Sequence, residues 1–217
     1  MRSAARERAL PHINTLAIDN DGALRPDVRE LARQKGFLRE ENGPLRKLFL
    51  ESIFLGMHIS FKAAAKALPE TPIDGKVPEV MRYAQGRGLE VKVCTANPLV
   101  DTGKIKEELK AYGLDIDVSS ISNRKKAKLY GKGTILVEDD PLVAIRAARR
   151  GAEVVLMLDV YNPYLSLIFS TINERIHVVA NWHEAAGVVS ELIDKSRYSP
   201  MIREKSSVGV GQAPAEA

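Results

Sequence analysis

Apolar and polar residues follow two different periods along this chain, and each period predicts one kind of element. Segments of strand length that are rich in apolar residues, some continuous and some alternating with polar residues, occupy residues 13–18, 89–94, 116–121, 133–137 and 153–158. Apolar residues at three- and four-residue spacing predict helices at residues 78–87, 101–112, 125–130, 141–150 and 181–195. Strands separated by helices in this way connect through right-handed crossovers, so we predict an α/β fold with one parallel sheet and helices on both faces.

A longer helical segment interrupts this alternation directly after the first strand. Helical spacing continues from about residue 25 to residue 68, and a connector rich in proline and glycine follows. We therefore predict a core at residues 1–24 and 76–198, with a small helical insertion at residues 25–75. Residues 199–217 are mostly small and polar, which predicts a disordered tail.

Composition limits the class of protein that fits this pattern. The 217 residues are 45% hydrophobic and 28% charged, as expected for a globular chain with a buried core. No apolar run approaches the roughly 20 residues that span a bilayer, and the first residues lack the apolar segment of a secretory signal. The single cysteine, Cys94, cannot form an internal disulfide. We therefore expect a cytoplasmic protein with no membrane partner.

The net charge of +4 raises the question of nucleic-acid binding. The basic residues are scattered, however, and the densest run, at residues 124–128, contains no aromatic side chain. We interpret the surplus as a solvated surface with local attraction for a phosphorylated small molecule, and we do not expect nucleic acid as a partner.

Polar residues follow three of the predicted strands at the point where each strand ends. Asp19 and Asp21 follow the first strand, residues 95–97 follow the second, and residues 138–140 follow the fourth. Open parallel sheets bind ligands beyond the carboxyl ends of their strands, so we expect these groups to converge. Clustered carboxylates repel one another unless a cation relieves them, and hard oxygen ligands suit Mg²⁺. The sequence thus indicates a magnesium site for phosphate chemistry.

Each of these motifs has a simpler structural interpretation when it is taken alone. An Asp-x-Asp-Gly run is common in turns, and Thr95 or the acidic residues before Pro141 can cap a helix. A calcium-binding EF-hand loop is excluded in both registers: a loop that starts at Asp19 places Leu24 where glycine is required, and a loop with Gly22 at that position starts at Ala17. The occurrence of all three motifs at strand ends, in this order, favours a functional site.

In this order the motifs resemble those of haloacid dehalogenase (HAD) superfamily phosphohydrolases, over residues 13–158. The resemblance implies a Rossmann-like sheet with a helical cap inserted after the first strand. It also implies a Mg²⁺-dependent phosphatase that hydrolyses a small-molecule phosphomonoester. Asp19 would be the nucleophile that forms an aspartyl-phosphate, and Asp21 would serve as general acid and base. Mg²⁺ would be held by Asp19, the backbone carbonyl of Asp21, and Asp139.

The same resemblance implies which groups bind the phosphate. They are the hydroxyl of Thr95, the backbone amides of Ala96 and Asn97, and one lysine that offsets developing charge. Three lysines compete for that role, namely Lys125, Lys126 and Lys128, and we choose Lys126. The roles of two further carboxylates stay open as water-mediated ligands or structural supports, namely those of Glu138 and Asp140.

Two other functions remain open from the sequence. A phosphomutase of the same superfamily keeps both aspartates, and a non-catalytic HAD-like module would bind a partner. Residues 161–163 and 181–184 are similar to the ends of deoxynucleotidase-like members, which extends the substrate class to nucleotides. Trp182 has the alternative interpretation of a packing residue of the last helix. The apolar run at residues 48–61 is typical of a cap core or of a dimer face, so a homodimer is one expectation.

Overall fold

The computed structural model describes residues 10–25, 31, 71–158 and 163–207. Six parallel strands form one sheet in the spatial order β3-β2-β1-β4-β5-β6. The strands are β1 (Thr15–Asp19), β2 (Glu90–Thr95), β3 (Asp117–Ser120), β4 (Thr134–Glu138), β5 (Glu153–Met157) and β6 (Ile176–Val179). The helices are α1 (Lys76–Gly86), α2 (Thr102–Ala111), α3 (Asn123–Leu129), α4 (Pro141–Arg149), α5 (Pro163–Ile172) and α6 (Trp182–Ser207). The predicted α/β class and parallel sheet are confirmed.

Alternate residues of the strands pack into two separate apolar cores, so both faces of the sheet are buried. Leu16 and Ile18 of β1 pack with side chains of α1, α2 and α6 on one face. Ala17 packs with side chains of α3, α4 and α5 on the other face. Because side chains alternate along a strand, Asp19 projects to the same face as Ala17. The last residue of β1 therefore belongs to the side of the sheet that α3 and α4 cover.

The sequence pattern does not predict α5 or β6. β6 has four residues, of which His177 is polar, and among the strands that the structure describes it pairs with β5 alone, at the edge of the sheet. α5 lacks a clear polar face, since Leu167, Ile168 and Ile172 are exposed apolar residues. Elements of this kind depend on pairing with distant segments, which the local pattern does not encode.

The last helix is longer than its pattern predicts. α6 continues to Ser207, past the predicted end at residue 195 and into the segment predicted to be disordered. Pro200 favours an earlier end, because a proline removes a backbone hydrogen bond and its ring crowds the preceding turn, yet the helix continues past it. Residues 208–217 lie outside the described residues, as do residues 1–9 and most of the predicted insertion (26–30 and 32–70). Within the described part of the chain, no helix is both long and apolar enough to cross a membrane.

Trp182 fastens α6 to the π-helical turn that follows β1 (Asn20–Leu24). The Trp182 side chain is 1% exposed, and its indole nitrogen donates a hydrogen bond to the carbonyl oxygen of Ala23. The structure therefore supports the interpretation of Trp182 as a packing residue. This contact positions the backbone immediately after Asp19.

We expect Trp182→Phe to lower the free energy of unfolding by about 2 kcal/mol, because it leaves a buried carbonyl unpaired and creates a small cavity. Urea unfolding followed by far-UV circular dichroism measures this, since Trp182 is the only tryptophan available for fluorescence. The exposed neighbour His183 provides the control: His183→Ala should change the value by less than about 0.5 kcal/mol. Equal losses in the two variants would contradict the anchoring role.

Candidate functional site

The candidate site lies at the carboxyl end of β1, where the strand order of the sheet reverses: β2 and β3 lie on one side of β1, and β4, β5 and β6 lie on the other. β1 sits between β2 and β4, and the register pairs Asp19 with Cys94 on one side and Ile18 with Val137 on the other. Asp19 therefore ends β1 between the carboxyl ends of its two neighbours. In open parallel sheets a crevice forms at this position, because the connections on either side leave in opposite directions.

A buried lysine lies at the centre of the site. Lys126 Nζ forms an ion pair with Asp19 Oδ1 and lies 3.4 Å from Glu138 Oε2. The three residues are 1–2% exposed. Lys125 and Lys128, which compete with Lys126 in the sequence, are both exposed. Packing of α3 against the sheet thus brings one lysine of the basic run to Asp19.

Three carboxylates lie close together at this position. One oxygen each of Asp19, Glu138 and Asp139 lies within 4.8 Å of the others. With all three ionised, the cluster carries three negative charges within a small, largely buried volume, and Lys126 is paired with Asp19 beside Glu138. A divalent cation would reduce the repulsion between these carboxylates, and an all-oxygen donor set suits Mg²⁺. The described residues therefore fit a magnesium ion, and they add Glu138 to the group that could hold it.

The burial of Glu138 could be anticipated from the sequence. β4 is a continuous apolar run up to this residue, and every position of β4 is buried. Glu138 lies two residues after Leu136 and so shares its face of the sheet, where α3 and α4 pack. The spacing thus indicates an inward carboxylate, but only the packing of α3 shows its partner.

The electrostatics of the cluster follow from burial. Burial raises the pKa of Glu138 well above its usual value, and the neighbouring carboxylates add to the rise although Lys126 opposes it. Burial lowers the pKa of Lys126, but attraction to Asp19 and Glu138 outweighs this and raises it well above 10.5. The lysine therefore stays protonated.

Backbone hydrogen bonds also hold the Glu138 side chain in place. The backbone amides of Asp139 and Asp140 each donate to Glu138 Oε1 at 3.2 Å.

The turn after β2 carries the residues that the resemblance implies for phosphate binding. Thr95 and Asn97 are fully buried, and Ala96 between them is half-buried. The backbone amide of Asn97 donates to Thr95 Oγ1 at 3.1 Å, and Asn97 Oδ1 accepts from the amide of Leu99 at 3.0 Å. The structure places this turn beside Asp19, and the Asn97 amide already has a partner within the turn.

Asp140 caps α4 and links it to α3. Its Oδ1 accepts from the amides of Leu142 and Val143 at 2.8 and 3.3 Å, and its Oδ2 accepts from Asn123 Nδ2 at 3.0 Å. Asn123 begins the helix that carries Lys126. Of the two roles open from the sequence, the geometry favours structural support.

Two further residues lie close to the site along the backbone, Asp21 and Cys94. Asp21 lies in the π-helical turn after β1, and its side chain is outside the described residues, so its acid–base role remains a prediction. Cys94 is fully buried, and burial raises the pKa of its thiol to about 12. Cys94 therefore stays protonated at neutral pH, and it donates weakly to the carbonyl of Ile18 at 3.6 Å.

Comparison with known proteins finds solved structures that are similar to this one in fold. No protein-family model and no curated protein matches the sequence. A hydrolase from Pseudomonas syringae is 18% identical, with a TM-score of 0.51 over 82% of this chain and 98% of that one. A haloacid dehalogenase-like family hydrolase from Xanthomonas campestris is 11% identical, with a TM-score of 0.51 over 87% and 99% of the two chains.

A putative beta-phosphoglucomutase from Bacteroides vulgatus is 10% identical, with a TM-score of 0.56 over 86% of this chain and 91% of that one. At sequence identities this low, the structural similarity shows the fold alone. The chain has the fold of HAD-like hydrolases, as the resemblance in its motifs implies.

Proposed function

We propose that this protein is a Mg²⁺-dependent phosphatase that hydrolyses a small-molecule phosphomonoester through an aspartyl-phosphate. The observation that supports it is the contact of buried Lys126 with Asp19, beside Glu138 and Asp139. A structural ion pair needs one carboxylate for one ammonium. Burying two more carboxylates is costly, and such a cost is typical of sites that carry chemistry.

The residues have distinct roles in the proposed reaction. A carboxylate oxygen of Asp19 attacks phosphorus and the ester P–O bond breaks, which leaves an alcohol and an aspartyl-phosphate. Asp21 donates its proton to the leaving oxygen and then removes a proton from the water that releases phosphate. Lys126 holds the Asp19 carboxylate in position through their ion pair and offsets charge on the phosphoryl oxygens.

The remaining groups bind rather than react. Thr95 would donate its hydroxyl to a phosphoryl oxygen, with backbone amides of the same turn beside it. Asp19, the backbone carbonyl of Asp21, and Asp139 would hold Mg²⁺, with Glu138 next to them. When bound, the ion neutralises the charge that otherwise repels an anionic nucleophile from a phosphate.

Release of p-nitrophenol from p-nitrophenyl phosphate tests this function. We expect turnover with Mg²⁺, loss of turnover with excess EDTA, and recovery when Mg²⁺ is restored. A parallel screen measures phosphate released from sugar phosphates and nucleoside monophosphates, which covers the proposed substrate class. Turnover that is insensitive to EDTA would contradict the metal requirement. Transfer of phosphate to a second hydroxyl without release would indicate a phosphomutase instead.

A further inference from the structure

A second charged region lies at the amino ends of the strands, opposite the carboxyl ends that carry the candidate site. It is an open cleft of about 1140 Å³. Its basic lining residues are His12, Lys132, Arg149, Arg150 and Arg175. Among the described residues that line it, none is Asp or Glu. β1 runs from the cleft at Thr15 to the carboxylate cluster at Asp19. Its length separates the two regions by about 13 Å.

Backbone hydrogen bonds hold the segments of the cleft together. The amide of Lys132 donates to the carbonyl of Arg150 at 3.1 Å, and the amide of Asn14 donates to the carbonyl of Gly133 at 2.9 Å. Gly151 has φ +93°, and a Cβ added there would lie 3.4 Å from Lys132 Cβ. Glycine therefore permits a close approach of the two loops, which places the cations of both beside one another.

A buried carboxylate orients Arg175 within the cleft. Arg175 Nη1 donates to Glu153 Oε1 at 2.6 Å, and the side chain of Glu153 is fully buried. The Arg175 side chain remains 27% exposed, so one edge of the guanidinium is anchored while the group still lines the cleft. A guanidinium has five N–H donors, and this contact uses few of them. Arg175 is thus held in place to meet an anion.

The other three permanent cations have no carboxylate partner within the part of the chain that the structure describes: Lys132, Arg149 and Arg150. The carboxyl end of α4 accounts for a cation at Arg149, because basic residues stabilise the helix dipole there. It does not account for Lys132 or Arg175, which belong to other segments. Like charges gathered in a concave surface raise the local potential for anions.

We propose that this cleft binds a small polyphosphorylated anion, separately from the carboxylate cluster. Its volume is close to that of small-molecule sites, whereas a nucleic acid would require a longer basic stripe. Two asparagines supply neutral donors. Asn14 Oδ1 accepts from Thr15 Oγ1 and Asn173 Oδ1 accepts from the backbone amide of Arg175, each at 3.0 Å, and both asparagines line the cleft with a side-chain NH₂ that can donate.

Isothermal titration calorimetry of the full chain with sodium tripolyphosphate tests this proposal, in a buffer that contains EDTA to remove divalent cations. We expect saturable binding in the wild type and binding weakened about tenfold or more in the double variant Lys132→Gln/Arg150→Gln. The matched control is Lys104→Gln/Lys110→Gln, which removes two exposed cations of α2 that do not line the cleft. Its affinity should equal that of the wild type. Arg175 is retained, because its loss would remove the ion pair with buried Glu153 and so would change the fold as well as the cleft.

Three outcomes would overturn the proposal: absence of saturable binding, equal weakening in the two double variants, or preferential binding of oligothymidylate through the same residues. The second outcome would mean that net charge alone attracts the probe, and the third would indicate a nucleic-acid surface. Unaltered circular dichroism of both double variants excludes misfolding as the cause. Because the assay involves no turnover and no metal, its result does not depend on the proposed phosphatase activity.

Discussion

Asp19→Asn is expected to reduce the turnover of p-nitrophenyl phosphate by roughly a thousandfold or more. An amide in place of the carboxylate cannot attack phosphorus, so the aspartyl-phosphate does not form. The fold should persist, because Lys126 still has Glu138 at 3.4 Å as a partner for its charge. Steady-state kinetics with Mg²⁺ and a thermal unfolding curve for each variant measure the two effects separately.

Asp115→Asn is the matched control for this experiment. Asp115 is an exposed carboxylate that lies 3.8 Å from Lys106, and its replacement makes the same change of charge and shape outside the site. Its turnover should stay within about twofold of the wild type, as for surface substitutions away from the chemistry. Asp19→Ala, which cannot return to aspartate by deamidation, should be as inactive as Asp19→Asn. Substantial turnover in Asp19→Ala would refute Asp19 as the nucleophile.

Lys126→Met is expected to lower the free energy of unfolding by about 3–5 kcal/mol at neutral pH in EDTA. The substitution removes the ammonium that lies between two buried carboxylates, Asp19 and Glu138. Repulsion between these groups is then relieved only by proton uptake or by a cation. Added Mg²⁺ should therefore restore part of the lost stability, because an ion that binds only the native state stabilises it. Urea unfolding with and without Mg²⁺ measures both effects.

Lys125→Met controls for the loss of one lysine from the same helix. Lys125 is exposed, and its replacement should change stability by less than about 0.5 kcal/mol, with no added response to Mg²⁺. If Lys126→Met fails to fold, Lys126→Gln retains a hydrogen-bond donor and provides the intermediate case. Similar stability in the Lys125→Met and Lys126→Met proteins would show that the buried ion pair contributes nothing.

Much of this architecture could be predicted because the central residues of β1, β4 and β5 are continuously apolar, and β2 places apolar residues at alternate positions. A strand buried on both faces gives such a run without help from its neighbours. β6 and α5 escape prediction for the opposite reason. β6 is short and, among the described strands, pairs with β5 only, and α5 has apolar residues on its exposed side, so long-range packing stabilises both.

The sequence by itself determined the order of strands and helices, the polar residues that end three strands, and the resemblance that implies the fold. Only the tertiary structure decided which lysine of the basic run meets Asp19, that Glu138 joins it, and that Asp140 caps a helix. It alone assembled the basic cleft from five separate segments. The local period sets the face on which a side chain lies, whereas strand register and helix packing decide which distant side chain it meets.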